Sequence, residues 1–123
     1  MYTLVVETKF AAAHQLREYK GKCENLHGHS WKVRVTVTAQ KLNEIGLAMD
    51  FTDLKRITND LVSHLDHTCL NSVDPFTEFN PSSENIARWL FCSLKENLAG
   101  HGVSLKSVTV WESETASASY SEE

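Results

Sequence analysis

The chain has 123 residues, of which 41% are hydrophobic and 23% charged, and these values are typical of a single globular domain, here residues 1–123. The formal net charge of −4, without a block of Lys and Arg, argues against non-specific binding to nucleic acid. The first ten residues alternate apolar and polar side chains, and the three cysteines form no tight pairing pattern. We therefore expect a cytoplasmic protein with reduced thiols and without a signal peptide or membrane span.

The N-terminal segment predicts a half-buried β-strand whose inner face ends on a histidine. One parity is mainly apolar, while Glu7 and Lys9 occupy the other. The inner-face residues are Leu4, Val6, Thr8, Phe10, Ala12 and His14. A second strand is predicted where Trp31, Val33, Val35 and Val37 alternate with Lys32, Arg34, Thr36 and Thr38. Its inner parity extends backwards to His29 and His27.

Two helices follow in the pattern. Residues 52–65 carry apolar side chains at helical spacing, with Thr52 and Asp53 as a plausible start. The second helix begins near residues 80–84, either with Asn80 as the cap and Pro81 in the first turn or with Ser82 as the cap, and Gly100 is a natural stop. Two final strands are predicted over residues 106–112 and 115–120.

This order, ββααββ, predicts the α+β class: a four-stranded antiparallel sheet with two helices on one face. The other face would carry many Ser, Thr and charged side chains. Whether it contacts solvent or a partner remains open from the pattern.

Three histidines converge if the two N-terminal strands pair. His27 and His29 point the same way in an extended chain, and His14 ends the neighbouring strand on the matching face. Gly28 between them removes side-chain bulk next to the two rings. Three imidazoles with a free fourth position are typical of catalytic zinc, although copper, nickel and iron are also compatible with nitrogen ligands.

Three further positions carry candidate chemistry, each with an alternative. Cys23, four residues before His27, is a reactive thiolate, a fourth metal ligand or an inert thiol. Asp66 beside His67 could transfer protons, but complementing a helix C-terminus is the simpler interpretation. Glu112 shares the inner parity of its strand, so its carboxylate needs a partner there. A cyclic guanidine edge or an Arg or Lys side chain would serve equally well.

Several motifs occur together and in a fixed order along the chain. They are Phe10-Ala11-Ala12-Ala13-His14, Cys23-Glu24-Asn25-Leu26-His27-Gly28-His29-Ser30, Leu65-Asp66-His67-Thr68-Cys69-Leu70-Asn71, Asn80-Pro81-Ser82-Ser83-Glu84-Asn85 and Val110-Trp111-Glu112-Ser113-Glu114-Thr115. The ordered set resembles the 6-pyruvoyl-tetrahydropterin synthase family along essentially the whole chain.

The resemblance implies a role for each matching residue. His14, His27 and His29 match the family's zinc ligands, and Cys23 matches its catalytic base. Asp66 and His67 match the pair that completes a proton relay. Glu112 matches the residue that anchors the pterin ring, and Ser82 and Ser83 match, more loosely, hydroxyl residues beside the pterin.

The resemblance also implies the tunnelling fold, in which subunits join their sheets into a barrel. We therefore expect a homo-oligomer, trimer-based and possibly a hexamer, with sites between subunits and a pterin triphosphate as substrate. The short Cys-x-x-x-His-Gly-His spacing is similar to the bacterial subgroup that makes a carboxylated tetrahydropterin for queuosine. The pyruvoyl-forming enzymes of the biopterin or folate branch are the alternative. A non-catalytic zinc or pterin-binding module is a third interpretation.

Overall fold

The computed structural model describes residues 1–21 and 24–122. Its elements, in chain order, are strands β1 (Tyr2–His14) and β2 (His27–Ala39), helix α1 (Phe51–Val62), strand β3 (Thr68–Cys69), helix α2 (Ser83–Asn97), and strands β4 (Ser104–Ser113) and β5 (Ala116–Tyr120). A single 3₁₀ turn, Leu70–Ser72, follows β3. No helix in this described part combines the length and the apolar character needed to cross a bilayer.

The strands form one five-stranded sheet in the order β3-β1-β2-β4-β5. The four longer strands pair antiparallel as predicted, whereas β3 runs parallel to β1 and makes the sheet mixed. The predicted four-stranded sheet therefore lacked one edge strand. β3 has two residues, which are too few to show an alternating pattern.

Both helices begin at a capping side chain. The Asp50 carboxylate accepts the Thr52 N–H at 2.8 Å, so α1 starts earlier than Thr52 and Asp53 suggested. At α2, the Ser82 hydroxyl accepts the Asn85 N–H at 3.1 Å, which selects Ser82 over Asn80 as the cap. Gly100 follows the end of α2 with φ of 85°, a conformation that glycine adopts without strain.

The core lies between the helices and one face of the sheet. The inward apolar side chains of β2 from Trp31 to Val37 are fully buried, and they pack with buried residues of both helices. Each fully buried large apolar side chain contributes about 1.5–3 kcal/mol relative to its exposed state. The main participants are Trp31, Val33, Val35, Val37, Leu54, Leu90, Leu94, Val108 and Val110.

The opposite face of the sheet is polar. Glu7 on β1 lies 2.7 Å from Arg34 Nε and 3.6 Å from Lys32 Nζ, and both cations lie over the ring of Trp111. The hydrogen bond from Arg34 holds the pKa of Glu7 below its usual value. No helix covers this face in the described chain, as the one-sided arrangement of helices predicted.

Candidate active site

The three histidines lie at one end of the sheet, on the face that packs against the helices. The antiparallel register of β1 and β2 sets His14 opposite His27 and Ala12 opposite His29. Residues directly opposite in an antiparallel pair project to the same side. The shared parity predicted from the alternation is therefore confirmed, and Glu112, at the end of β4, projects into the same space.

One ligand atom from each of these four residues lies within 4.8 Å of the others. Glu112 Oε1 lies 3.1 Å from His14 Nε2, 3.0 Å from His29 Nε2 and 4.0 Å from His27 Nε2. His14 is only 2% exposed, whereas the His27 and Glu112 side chains are 38% and 37% exposed. The cluster therefore has a buried floor and an open side through which a small molecule could approach.

Backbone carbonyls select the tautomer of two of the rings. His14 Nδ1 lies 2.7 Å from the Pro81 carbonyl, and His27 Nδ1 lies 2.8 Å from the Asn25 carbonyl. Because a carbonyl only accepts, each Nδ1 carries the proton and donates it. In a neutral ring this tautomer directs the Nε2 lone pair toward the cluster, an arrangement typical of metal-binding histidines. Without an ion, the 3.1 Å contact between His14 Nε2 and Glu112 Oε1 would instead require a proton on Nε2.

The third ring provides the test of whether a cation fits. His29 Nε2 is buried and makes no hydrogen bond to any described residue. It lies 3.0 Å from Glu112 Oε1, but the two groups are not aligned for a hydrogen bond. Burial lowers the pKa of His29, which favours the neutral, ligating form. Three Nε2 atoms and a carboxylate oxygen face one another, and a divalent cation would satisfy all four. The donor set thus fits a metal ion, and borderline metals such as zinc suit it best.

Trp31 forms the floor of the cluster, a role that the sequence pattern did not distinguish from ordinary core packing. Its ring lies edge-on to His14 and His29, with centroids 4.8 and 5.4 Å apart. Its indole N–H donates to the Ala12 carbonyl at 3.2 Å, which locks the ring beneath the histidines. A rigid aromatic floor limits the rotamers of both imidazoles and holds them in ligating positions.

Asp66 and His67 form a pair, as expected, but they lie outside the group of four. His67 Nδ1 is 3.0 Å from Asp66 Oδ2, and the two side chains are 82% and 39% exposed. Both backbone polar groups of Ala11 fix the pair to β1. The Ala11 N–H donates to Asp66 Oδ1 at 2.9 Å, and its carbonyl accepts the His67 N–H at 2.6 Å. The bond from Ala11 is the main cause of a lowered pKa for Asp66, so the carboxylate is charged at neutral pH.

The remaining positions divide into four cases. Cys23 lies outside the described residues. Ser82 caps α2 and Ser83 is the first helical residue, so the hydroxyl of Ser82 already has a structural partner. Apart from its two chain neighbours, a Cβ at Gly28 would meet only the Ala12 carbonyl oxygen, at 4.0 Å, so no other part of the chain requires a glycine there. Cys69 and Cys92 have no histidine-rich context, and core packing is the expectation for both. Cys69 is half-buried, whereas Cys92 is exposed, so the expectation is wrong for Cys92.

Comparison with known proteins decides the family. The profile of the family described as 6-pyruvoyl tetrahydropterin synthase matches residues 3–123. The chain belongs to that family. A 6-carboxy-5,6,7,8-tetrahydropterin synthase from Synechocystis is 44% identical, with 98% of this chain and 93% of the relative aligned. A dihydroneopterin monophosphate aldolase from Pyrococcus furiosus is 35% identical over 89% of this chain and 88% of its own.

The fold of the 6-pyruvoyl tetrahydropterin synthase family is confirmed by a solved structure. The Caenorhabditis elegans 6-pyruvoyl tetrahydropterin synthase superposes with a TM-score of 0.87 and 27% identity, covering 99% of this chain and 96% of that one. Membership of this family of tetrahydropterin synthases implies lyase chemistry on a pterin. Among the described residues, His14, His27, His29 and Glu112 form a group that could hold a metal ion.

Proposed function

We propose that the protein is a 6-carboxy-5,6,7,8-tetrahydropterin synthase of queuosine biosynthesis. It would convert 7,8-dihydroneopterin triphosphate and water to 6-carboxytetrahydropterin, acetaldehyde and triphosphate. The observation that carries the proposal is the open cluster of three histidine Nε2 atoms and one carboxylate. The 44% identity to the Synechocystis enzyme supports this branch over the pyruvoyl-forming ones.

His14, His27 and His29 would hold zinc. Bound there, zinc supplies a Lewis acid that polarises oxygens of the substrate side chain and acidifies the adjacent C–H. The Pro81 and Asn25 carbonyls contribute by holding two rings in the ligating tautomer. Trp31 excludes water from beneath the rings, since its side chain is fully buried.

Cys23 would remove a proton from the substrate as a thiolate, and His67 would return one. Asp66 suits the supporting role, because its charged carboxylate lies against His67 Nδ1 and leaves Nε2 to exchange the proton. Glu112 would accept two N–H groups from the guanidine-like edge of the pterin, which matches a bidentate carboxylate.

The exposure of the Asp66–His67 pair supports a homo-oligomer. A proton donor that is 82% exposed would lose protons to bulk water unless another surface covered it. A second copy of the chain, placed against the open sheet face and edges, would provide this cover in a trimer-based assembly. The expected location is the cytoplasm.

The test is product analysis. Protein loaded with zinc is incubated with 7,8-dihydroneopterin triphosphate under reducing conditions, and pterins and acetaldehyde are measured by mass spectrometry. We expect 6-carboxytetrahydropterin with stoichiometric acetaldehyde. A pyruvoyl product without acetaldehyde would move the protein to the alternative branch, and an aldolase product would move it toward the Pyrococcus relative. No conversion by protein with bound zinc would overturn the enzymatic proposal, and four protein ligands in a metal-edge spectrum would then indicate a binding module.

A further inference from the structure

The segment that follows His14 continues β1, although no strand lies beside it. Residues 15–17 have all of their backbone N–H and C=O groups hydrogen-bonded, and each partner residue supplies two bonds. Asn71 pairs with Gln15 through its side-chain amide, with Oδ1 and Nδ2 each 2.9 Å from the backbone. The Glu24 carboxylate accepts the Leu16 N–H at 3.1 Å, and its backbone N–H donates to the Leu16 carbonyl at 3.0 Å.

Asn80 pairs with Arg17 in the same way as Asn71 pairs with Gln15. Asn80 Oδ1 accepts the Arg17 N–H at 2.8 Å, and Nδ2 donates to the Arg17 carbonyl at 3.0 Å. The Arg17 guanidinium also contacts Asn80 Oδ1 and donates to the Phe76 carbonyl. A side-chain amide carries the donor and acceptor of a peptide group, so two asparagines replace the missing strand on this side.

Asn80 belongs to a short segment that also touches the metal-binding cluster. The next residue, Pro81, provides the carbonyl that accepts His14 Nδ1. The Asn80 carbonyl is held in turn by Asn85 Nδ2 at 2.8 Å, and the Ser82 hydroxyl caps α2. The residues at the start of α2 therefore contact both the His14 ring and the backbone of Arg17, three residues further along the chain.

We propose that Asn80 is a positioning residue that sets where residues 18–26 leave the sheet. Cys23 lies in this segment, which ends just before His27. Glu24, the residue after Cys23, pairs with Leu16, and we call the bonds from Glu24, Asn71 and Asn80 to residues 15–17 the clamp. The inference rests on the proposed function, in which Cys23 is the base. The described residues on both sides of Cys23 are thus fixed, and positional errors of about 1 Å in a catalytic group can cost about 100-fold in rate.

The test compares Asn80→Ala with Asn97→Ala. Asn97 also uses its amide for one backbone bond, to the Ser93 carbonyl at 2.8 Å, but it lies on the exposed face of α2. We expect Asn80→Ala to keep wild-type zinc content and KM while kcat falls by about 10–100-fold. The rate at which iodoacetamide alkylates Cys23 is followed by peptide mass mapping at several pH values. We expect its pH dependence in Asn80→Ala to differ from that of wild type. Asn97→Ala should match wild type in all four measurements.

Two further variants separate positioning from folding. Asn71→Ala removes the parallel clamp on Gln15 and should reproduce the loss of kcat even if Asn80→Ala folds poorly. Asn80→Asp keeps the acceptor for the Arg17 N–H and loses the donor, so its kcat should lie between wild type and Asn80→Ala. Wild-type kcat in both alanine variants would overturn the inference, as would a parallel loss of zinc, thermal stability and activity. An inactive wild-type protein would overturn the proposed function instead, and the alkylation profile would still test the clamp.

Discussion

At the residue scale, the chemistry of the cluster depends on which ring nitrogen carries the proton. The Pro81 and Asn25 carbonyls hold the protons of His14 and His27 on Nδ1, away from the cluster. His29 lacks such a carbonyl among the described residues, and burial instead favours its neutral form. Two rings are thus held in the ligating tautomer, and burial favours the neutral form that the third ring needs in order to bind an ion.

Glu112 lies where two roles are possible, and its substitution distinguishes them. We expect Glu112→Gln to retain zinc, because three histidines suffice, and to raise KM strongly, because the amide presents an N–H to the pterin's own donors. KM and zinc content by atomic absorption are the measurements. A fall in zinc affinity with an unchanged KM would make Glu112 the fourth ligand rather than the anchor, as its 3.0 Å approach to His29 Nε2 also permits.

His67 has φ of 59°, in the left-handed region where, glycine apart, Asn, Asp and His are the residues found most often. His67→Asn therefore preserves the backbone preference while removing the imidazole. We expect kcat to fall by about 10²–10⁴-fold, the usual range for a general acid, with the thermal midpoint unchanged. His64→Asn, in the turn before it, is the matched control and should retain full activity. Equal activity in the two variants would exclude His67 from the proton relay.

The histidine parity could be predicted because strand alternation is a local property of the backbone, visible in the sequence. The amide clamps of Asn71 and Asn80 could not, because they join residues 56 and 63 positions apart in the chain. Gly28 shows the same alternation. Its neighbours in sequence project into the cluster, whereas a side chain at position 28 would point to the opposite face of the sheet.

At the element scale, the end of α1 shows where helical spacing misleads. Leu65 is fully buried and continues the spacing of Leu61, which predicted a helix to residue 65. The helix instead ends at Val62, and a turn carries Leu65 into the core. This turn brings Asp66 and His67 against Ala11 and starts β3. The spacing of apolar residues indicates which side chains are buried, not which are helical. A buried residue in a turn after a helix, such as Leu65, can therefore be mistaken for part of that helix.

Ser82 has a structural duty as the cap of α2, and this can be separated from any contact with substrate. Ser82→Ala should lower the free energy of unfolding by about 1 kcal/mol through loss of the cap, as measured by chemical denaturation. Ser82→Asp caps equally well and should restore stability. If KM rises in Ser82→Asp while stability is normal, the hydroxyl also serves the pterin, as predicted. If Ser82→Asp is as unstable as Ser82→Ala, the capping assignment is wrong.

At the scale of the whole molecule, helices cover only one of the two faces of the sheet. The helices cover the inner face, whereas the outer face presents Glu7, Lys32, Arg34 and Trp111. No described strand pairs with the outer edge of β5, and β3 covers β1 only at Ala12 and Ala13. Unpaired strand edges readily accept further strands. The pattern of residues could predict the uncovered face, but which surfaces meet is a property of several chains.

The edge of β5 provides the test of assembly through two neighbouring proline substitutions. Successive N–H groups of a strand point to opposite sides, so of Ser117 and Ala118 one N–H points to β4 and the other points away from the sheet. Because proline has no N–H, one of Ser117→Pro and Ala118→Pro removes a hydrogen bond to β4, and the other removes a donor from the free edge of β5. We expect one variant to unfold at lower temperature and the other to keep its thermal midpoint as a monomer, losing the oligomer and most of the activity. Light scattering coupled to size exclusion gives the mass, and circular dichroism gives the midpoint. If the stable variant assembles and turns over like wild type, subunits do not join along β5, and the exposed Asp66–His67 pair must be covered in another way.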